Sequence, residues 1–81
     1  MKTGILIHDI VALLEDVPTH HFDTGASLTL RRGQIGTVVM TCDGSAFEVE
    51  FSDAQGRAFA MLPISASKLI LLHDAPATAA A

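Results

Sequence analysis

The sequence predicts an all-β fold, a small barrel of about five short strands. Three observations lead there. Short apolar runs rich in Val, Ile, Thr and Phe recur along the chain, separated by turn residues at 43–45 and 52–57. The run AFEVEF, residues 46–51, alternates cleanly, with Phe47, Val49 and Phe51 on one face and Glu48 and Glu50 on the other. A chain of 81 residues has room for one domain with a modest core.

The elements follow in order. Residues 9–16, DIVALLED, read as a first strand, because β-branched residues and nearby Pro18 favour strand over helix. Ile10, Ala12 and Leu14 share one of its faces and Val11 and Leu13 the other, so it is apolar on both. Residues 18–30, PTHHFDTGASLTL, are polar and carry Pro, Gly, Ser and Asp, so they read as a loop. With Arg31 and Arg32 it becomes a long loop over 18–32, a length that loops with a function often have. IGTVVMTC, residues 35–42, is a strand, and Asp43-Gly44 signals a tight hairpin turn into 46–51. Residues 52–57, SDAQGR, form a second hairpin loop. AFAMLPI, residues 58–64, is a strand that Pro63 stops or confines to a sheet edge. SASK, residues 65–68, reads as a short helical turn with Ser65 able to cap it. LILL, residues 69–72, is the last strand. The domain therefore spans 1–73, and 74–81 reads as a disordered tail. No internal repeat or domain linker stands out. A helical turn directly before the final strand is typical of SH3-like barrels, so the expected fold is a five-stranded SH3-like barrel.

Four glycines are expected to serve the backbone. Gly33, Gly44 and Gly56 suit left-handed turn positions. Gly36 suits a sharp bend or a close approach of backbone to its neighbours. Their spacing does not make a phosphate-binding loop or a dinucleotide fingerprint.

Several stretches together resemble a family of small bacterial domains of unknown function. They are DIVALLEDVP, RRGQIGTVV, AFEVEFSDAQGR and LPISASKL, over residues 9–72. The family pattern reads R-G-x-x-G-T-V-V, then Y/F-E-V-E-F, with Phe47 at the aromatic position here. Residues 22–30 look like extra length against it. The resemblance implies an SH3-like barrel and no particular activity; by analogy with small gene pairs it suggests a toxin-and-antidote setting. R-G-x-x-G before a strand is also similar to the KOW motif of ribosomal and transcription proteins. It is similar again to the SH3-like part of the nitrile hydratase β subunit and its activators.

Composition narrows the function classes. Nine acidic against five basic residues give a net charge of −4, which argues against nucleic acid as the main partner. A single cysteine, Cys42, permits no internal disulfide and fits a reducing cytoplasm. His8 and Asp9 interrupt the apolar start, and no run reaches the length of a membrane span. An apolar fraction of 49% is high for a small soluble domain and points to cover by a second copy or another protein.

The chemistry-bearing residues are few. His20 and His21, near Asp23, are metal-ligand types, but adjacent residues rarely converge on one ion, so no metal is expected. Cys42 beside Asp43 lacks the electropositive setting of a nucleophile. Glu48 and Glu50 are expected to solubilise the sheet and guard against edge pairing, or to offer acid to a basic partner. Arg31 and Arg32 are expected to pair with Asp16, Asp23 or Glu15, or to meet a partner, with Arg57 on the same surface. Phe22, Leu28, Leu30, Phe59, Met61 and Leu62 exceed what five short strands can bury.

The reading that follows is a non-enzymatic protein-binding module with no cofactor. It is an accessory or regulatory subunit, such as the antidote of a toxin pair. Its partner is a neighbouring gene product or a second copy, met through Arg31, Arg32, Arg57, Phe22, Glu48 and Glu50. The alternatives are an RNA- or ribosome-binding KOW-like barrel, and a maturation factor for a metalloenzyme such as nitrile hydratase.

Overall fold

The computed structural model describes residues 4–78, and the expected tail therefore runs beyond it at 79–81. The described residues are all-β apart from one turn of 3-10 helix. Among them are seven strands, β1 (Ile10–Leu13), β2 (Val17–His20), β3 (Ser27–Leu30), β4 (Ile35–Cys42), β5 (Ala46–Ser52), β6 (Ala58–Ser65) and β7 (Leu69–Leu71). Five form one antiparallel sheet in the order β6-β5-β4-β1-β7, and β2 and β3 form a separate hairpin. The all-β expectation holds; β6 and β7 are the two edges of the five-stranded sheet and do not pair with each other, so this sheet is not closed.

The loop expected over 18–32 is also corrected. Val17 pairs with Leu30, Pro18 with Thr29, Thr19 with Leu28 and His20 with Ser27. Polar residues mask a short period-two pattern there. Leu30 is fully buried in the common core, and Val17 and Leu28 pack against it, so the main sheet supplies the cover that a two-stranded hairpin lacks alone.

The core lies between the hairpin and the inner face of the sheet. Val11, Leu13, Val38, Phe47, Val49, Phe51, Ala60, Ile64 and Leu69 fill it. The period-two reading of β5 holds, since Phe47, Val49 and Phe51 are all buried while Glu48 and Glu50 are half-buried on the outer side. In β4 the register shifts between Val38 and Met40, so two residues oppose one on β5. Such a bulge bends the strand and increases its twist.

Gly36 lies opposite Val11 with ordinary backbone angles, and a β-carbon there would sit 2.6 Å from Val49 Cγ1 and 2.8 Å from Phe51 Cε1. Close approach, rather than a left-handed bend, is thus its reason. Gly33 does take a left-handed conformation (φ 88°), in the turn from β3 to β4. Asp43 and Gly44 both have positive φ, as a type I′ turn requires, although three residues rather than two separate the pair Cys42–Ala46.

The β3–β4 turn is held from outside by Asp16. Its Oδ1 accepts the Arg32 backbone N–H at 2.7 Å, while Arg31 N–H donates to Gln34 Oε1 at 2.9 Å. Asp16→Ala is expected to lower stability by about 1 kcal/mol, and thermal unfolding should show a Tm about 4–8 °C lower. Asp16→Asn, which keeps an acceptor oxygen, should retain most of it.

Pro63 stands in edge strand β6, where a missing N–H is tolerated, and the strand continues to Ser65. The 3-10 turn, Ala66–Lys68, comes where the sequence places it. Ser65 does not cap it: its hydroxyl lies 3.0 Å from that of Ser67 instead.

Candidate protein-binding surface

The fold separates the residues expected to form one partner surface. Arg31 and Arg32 lie at the base of the β2–β3 hairpin, and Phe22 lies at its tip. Four paired residues between them put the two spots roughly 13 Å apart. The arginine side chains correct a second expectation. Among the described residues the one ion pair is Lys68–Glu15 at 3.4 Å, and no carboxylate pairs with Arg31, Arg32 or Arg57. Asp16 engages the Arg32 backbone, not its guanidinium. Arg31, Arg32, Gly33 and Gln34 line a shallow hollow of about 330 Å³.

The hairpin tip is built around His21. Its Nδ1 accepts the N–H groups of Asp23 and Thr24 at 3.1 and 3.3 Å and so closes the turn. The ring meets Phe22 edge-on with centroids 6.0 Å apart, and lies 6.4 Å from Phe59. Phe22 N–H donates to Phe59 C=O at 3.0 Å, which docks the tip on edge strand β6. Arg57 stands two residues before Phe59. Its own loop is closed by Asp53, whose Oδ1 accepts the N–H of Gln55 and of Arg57 at 2.9 and 3.0 Å. Phe22, half-exposed, is thus tied through its backbone to a position two residues along from Arg57, which is exposed.

Glu48 and Glu50 cannot guard an edge, because β5 lies between β4 and β6. On the outer side Glu48 stands opposite Met40 and Pro63, and Glu50 opposite Thr37 and Met61. Cys42 Sγ is 4.0 Å from Glu48 Oε2, a weak contact for the chain's single thiol. Among the described residues no three His, Cys, Asp or Glu groups come together to hold a metal ion. No helix of the described residues is long and apolar enough to cross a membrane.

A family model described as "Domain of unknown function (DUF4926)" matches residues 7–71. The chain belongs to the DUF4926 family. The family match runs from just before β1 through the end of β7, so it takes in the hairpin, both turns and the 3-10 segment. No curated protein and no solved structure matches the chain.

Within this DUF4926 domain, sequence reasoning missed two features. The apolar excess is only partly where it was expected: Phe22 and Met61 are exposed, but Leu30 is core, and Leu28, Phe59 and Leu62 pack against that core. The exposed aliphatics include Ile10, Leu14, Ile35, Ile70 and Leu72, on β1, β7 and the start of β4 or directly beside them, and also Leu6, Ile7, Met40 and Met61. The signal was present, since a strand apolar on both faces asks for cover on both. The second is a short repeat, ILIHD at 5–9 and ILLHD at 70–74. Pairing of β1 with β7 brings its halves together, and His8, Asp9, His73 and Asp74 line one open cleft of about 550 Å³. His8 holds a left-handed backbone (φ 77°) that a non-glycine residue seldom adopts. Asp9 is already used, its Oδ2 accepting Leu6 N–H at 2.8 Å.

Proposed function

We propose that the protein is a non-enzymatic protein-binding module on an SH3-like barrel, an accessory or regulatory subunit such as the neutralising half of a toxin pair. Three features support the barrel reading: the bulged eight-residue β4, the hairpin laid over the inner face, and the 3-10 turn before β7. One observation carries the binding reading. The Phe22 N–H to Phe59 C=O bond gathers an exposed aromatic ring and an unpaired arginine at the β6 edge. Aromatic and arginine side chains are the types that dominate binding energy at protein interfaces. With no carboxylate paired to it among the described residues, this guanidinium is free for a carboxylate on the partner.

The test is titration calorimetry against the product of the adjacent gene. The chain should bind it, and the double variant Phe22→Ala, Arg57→Ala should weaken binding about 100-fold or more, at roughly 2 kcal/mol or above for truncated anchors. A chain that binds nothing from that product, or a double variant that binds as well as the native chain, removes this reading.

A further inference from the structure

We infer that two copies of this chain pair edge to edge through β7, antiparallel about a two-fold axis at Leu71, and so join their sheets. The opposite edge of the sheet is guarded against such pairing. On β6 the Phe59 C=O is occupied by the Phe22 N–H of the hairpin tip, and Pro63 has no N–H to offer. β7 carries neither device. Ile70 pairs with Ala12, Leu72 N–H donates to Ile10 C=O at 3.0 Å, and Leu14 N–H donates to Lys68 C=O at 2.9 Å. Lys68, Ile70 and Leu72 therefore turn their backbone groups toward β1, and the alternate residues Leu69, Leu71 and His73 turn theirs away from it. Leu69 N–H is already bonded to Ala66 C=O in the 3-10 turn. Among the described residues nothing bonds to Leu69 C=O, to either backbone group of Leu71 or to His73 N–H. Leu71 and His73 line the open cleft of about 550 Å³, so this edge is reachable from outside.

Two arguments name a second copy as the occupant. The first is the set of free backbone groups. The edge offers an acceptor at Leu69, a donor and an acceptor at Leu71, and a donor at His73. Antiparallel pairing about Leu71 sets Leu71 against Leu71 of the other copy, and Leu69 against His73. The two leucines at the axis exchange both their bonds, and each His73 N–H donates to the other copy's Leu69 C=O. Every free group on the edge thus finds its mate. The second is the row of side chains. The same register sets Lys68 against the other copy's Asp74, and Ile70 against its Leu72, each twice by symmetry. Opposite charges and aliphatic pairs directly across two strands both stabilise a sheet. Ile70 and Leu72 are 49% and 38% exposed, so the contact covers apolar surface that one copy leaves in water. A uniformly acidic strand would be repelled by Asp74 and a uniformly basic one by Lys68. The strand that fits carries an acid and a base six residues apart with two aliphatics between them, in reverse order, and this chain presents one. Lys68 is half-exposed even in its pair with Glu15, so its ammonium can meet a second carboxylate. The pairing goes beyond the binding reading above and involves neither Phe22 nor Arg57.

Sedimentation velocity on the full chain at micromolar to millimolar concentration is the test. The native chain should pass from 8.5 kDa toward twice that mass as concentration rises. Asp74→Lys and Lys68→Asp, both at exposed positions, each set like charges against each other twice across the axis. Each should raise the dimer Kd about tenfold or more, with an unchanged circular dichroism spectrum. Mixed in equal amounts, the two variants should dimerise with each other about as well as the native chain does with itself, because every lysine then faces an acid. No contact within a single copy would produce that rescue. A native chain that stays monomeric throughout, single variants that dimerise as the native chain does, or a mixture no tighter than its parts overturns the inference. So does a monomer whose complex with the adjacent gene product is lost on Asp74→Lys, since the edge then belongs to that partner. The double variant Phe22→Ala, Arg57→Ala should still dimerise, so failure of the hetero-partner reading is distinguishable from failure of this one.

Discussion

Gly36→Ala should destabilise the domain by about 2–3 kcal/mol, the scale of forcing extra volume into a packed core. The added carbon would lie 2.6 Å from Val49 Cγ1, 2.8 Å from Phe51 Cε1 and 3.1 Å from the Glu50 carbonyl oxygen. None of these atoms moves freely. Val49 is branched at its β-carbon, the Phe51 ring is fully buried, and the third contact is backbone. At about 4–8 °C per kcal/mol for a domain of this size, Tm should fall by roughly 10–20 °C in a thermal melt. A fall below about 4 °C would mean that the strands part easily at this point. Gly33→Ala makes a useful contrast. A β-carbon at Gly33 meets nothing within 4 Å, so its cost is the left-handed backbone alone.

Phe51→Ala should be costlier still, at about 3–5 kcal/mol. Domains hold roughly 0.05–0.15 kcal/mol per residue, so the total here is about 4–12 kcal/mol. Phe51 is the largest of the fully buried side chains, and its loss leaves a cavity between β4 and β6 that rigid neighbours cannot fill. Equilibrium urea unfolding should show a midpoint lowered by about a quarter or more, with no folded baseline if the total lies at the low end of that range. The two substitutions share a contact, so they should not add. In a Phe51→Leu background, Gly36→Ala should cost measurably less than in the native chain, because one of its three clashes is gone.

What the chain reveals by inspection follows from how local each cause is. β5 is legible because its period of two is set within seven residues. Gly36 is legible as a glycine that needs closeness, although only the register says to what. The 3-10 turn and the edge position of Pro63 follow from local chemistry too. The β2–β3 hairpin is not legible, because four-residue strands full of Thr, Ser and His owe their order to Leu30 reaching a core built elsewhere. The split of the arginines from Phe22 is likewise hidden. Adjacent positions in a loop look like one site, whereas a hairpin carries its base and tip to opposite ends. The apolar outer face of β1, β4 and β7 is half legible: Ile10, Ala12 and Leu14 alternate as expected, but their neighbours come from residues 35 and 70, which only pairing brings together.

The position of β1 has a kinetic consequence. It lies between β4 and β7, so its two hydrogen-bonded edges are completed by segments some 25 and 60 residues away in the chain. Contacts of such long sequence separation close large loops and slow folding. During synthesis the β4–β5–β6 meander can form as it emerges, while β1 keeps one open edge until Leu71 is available. Over that interval the chain is a sticky, strand-ready fragment. Assembly is therefore a late event, gated by the last three-residue strand rather than by the long ones in the middle.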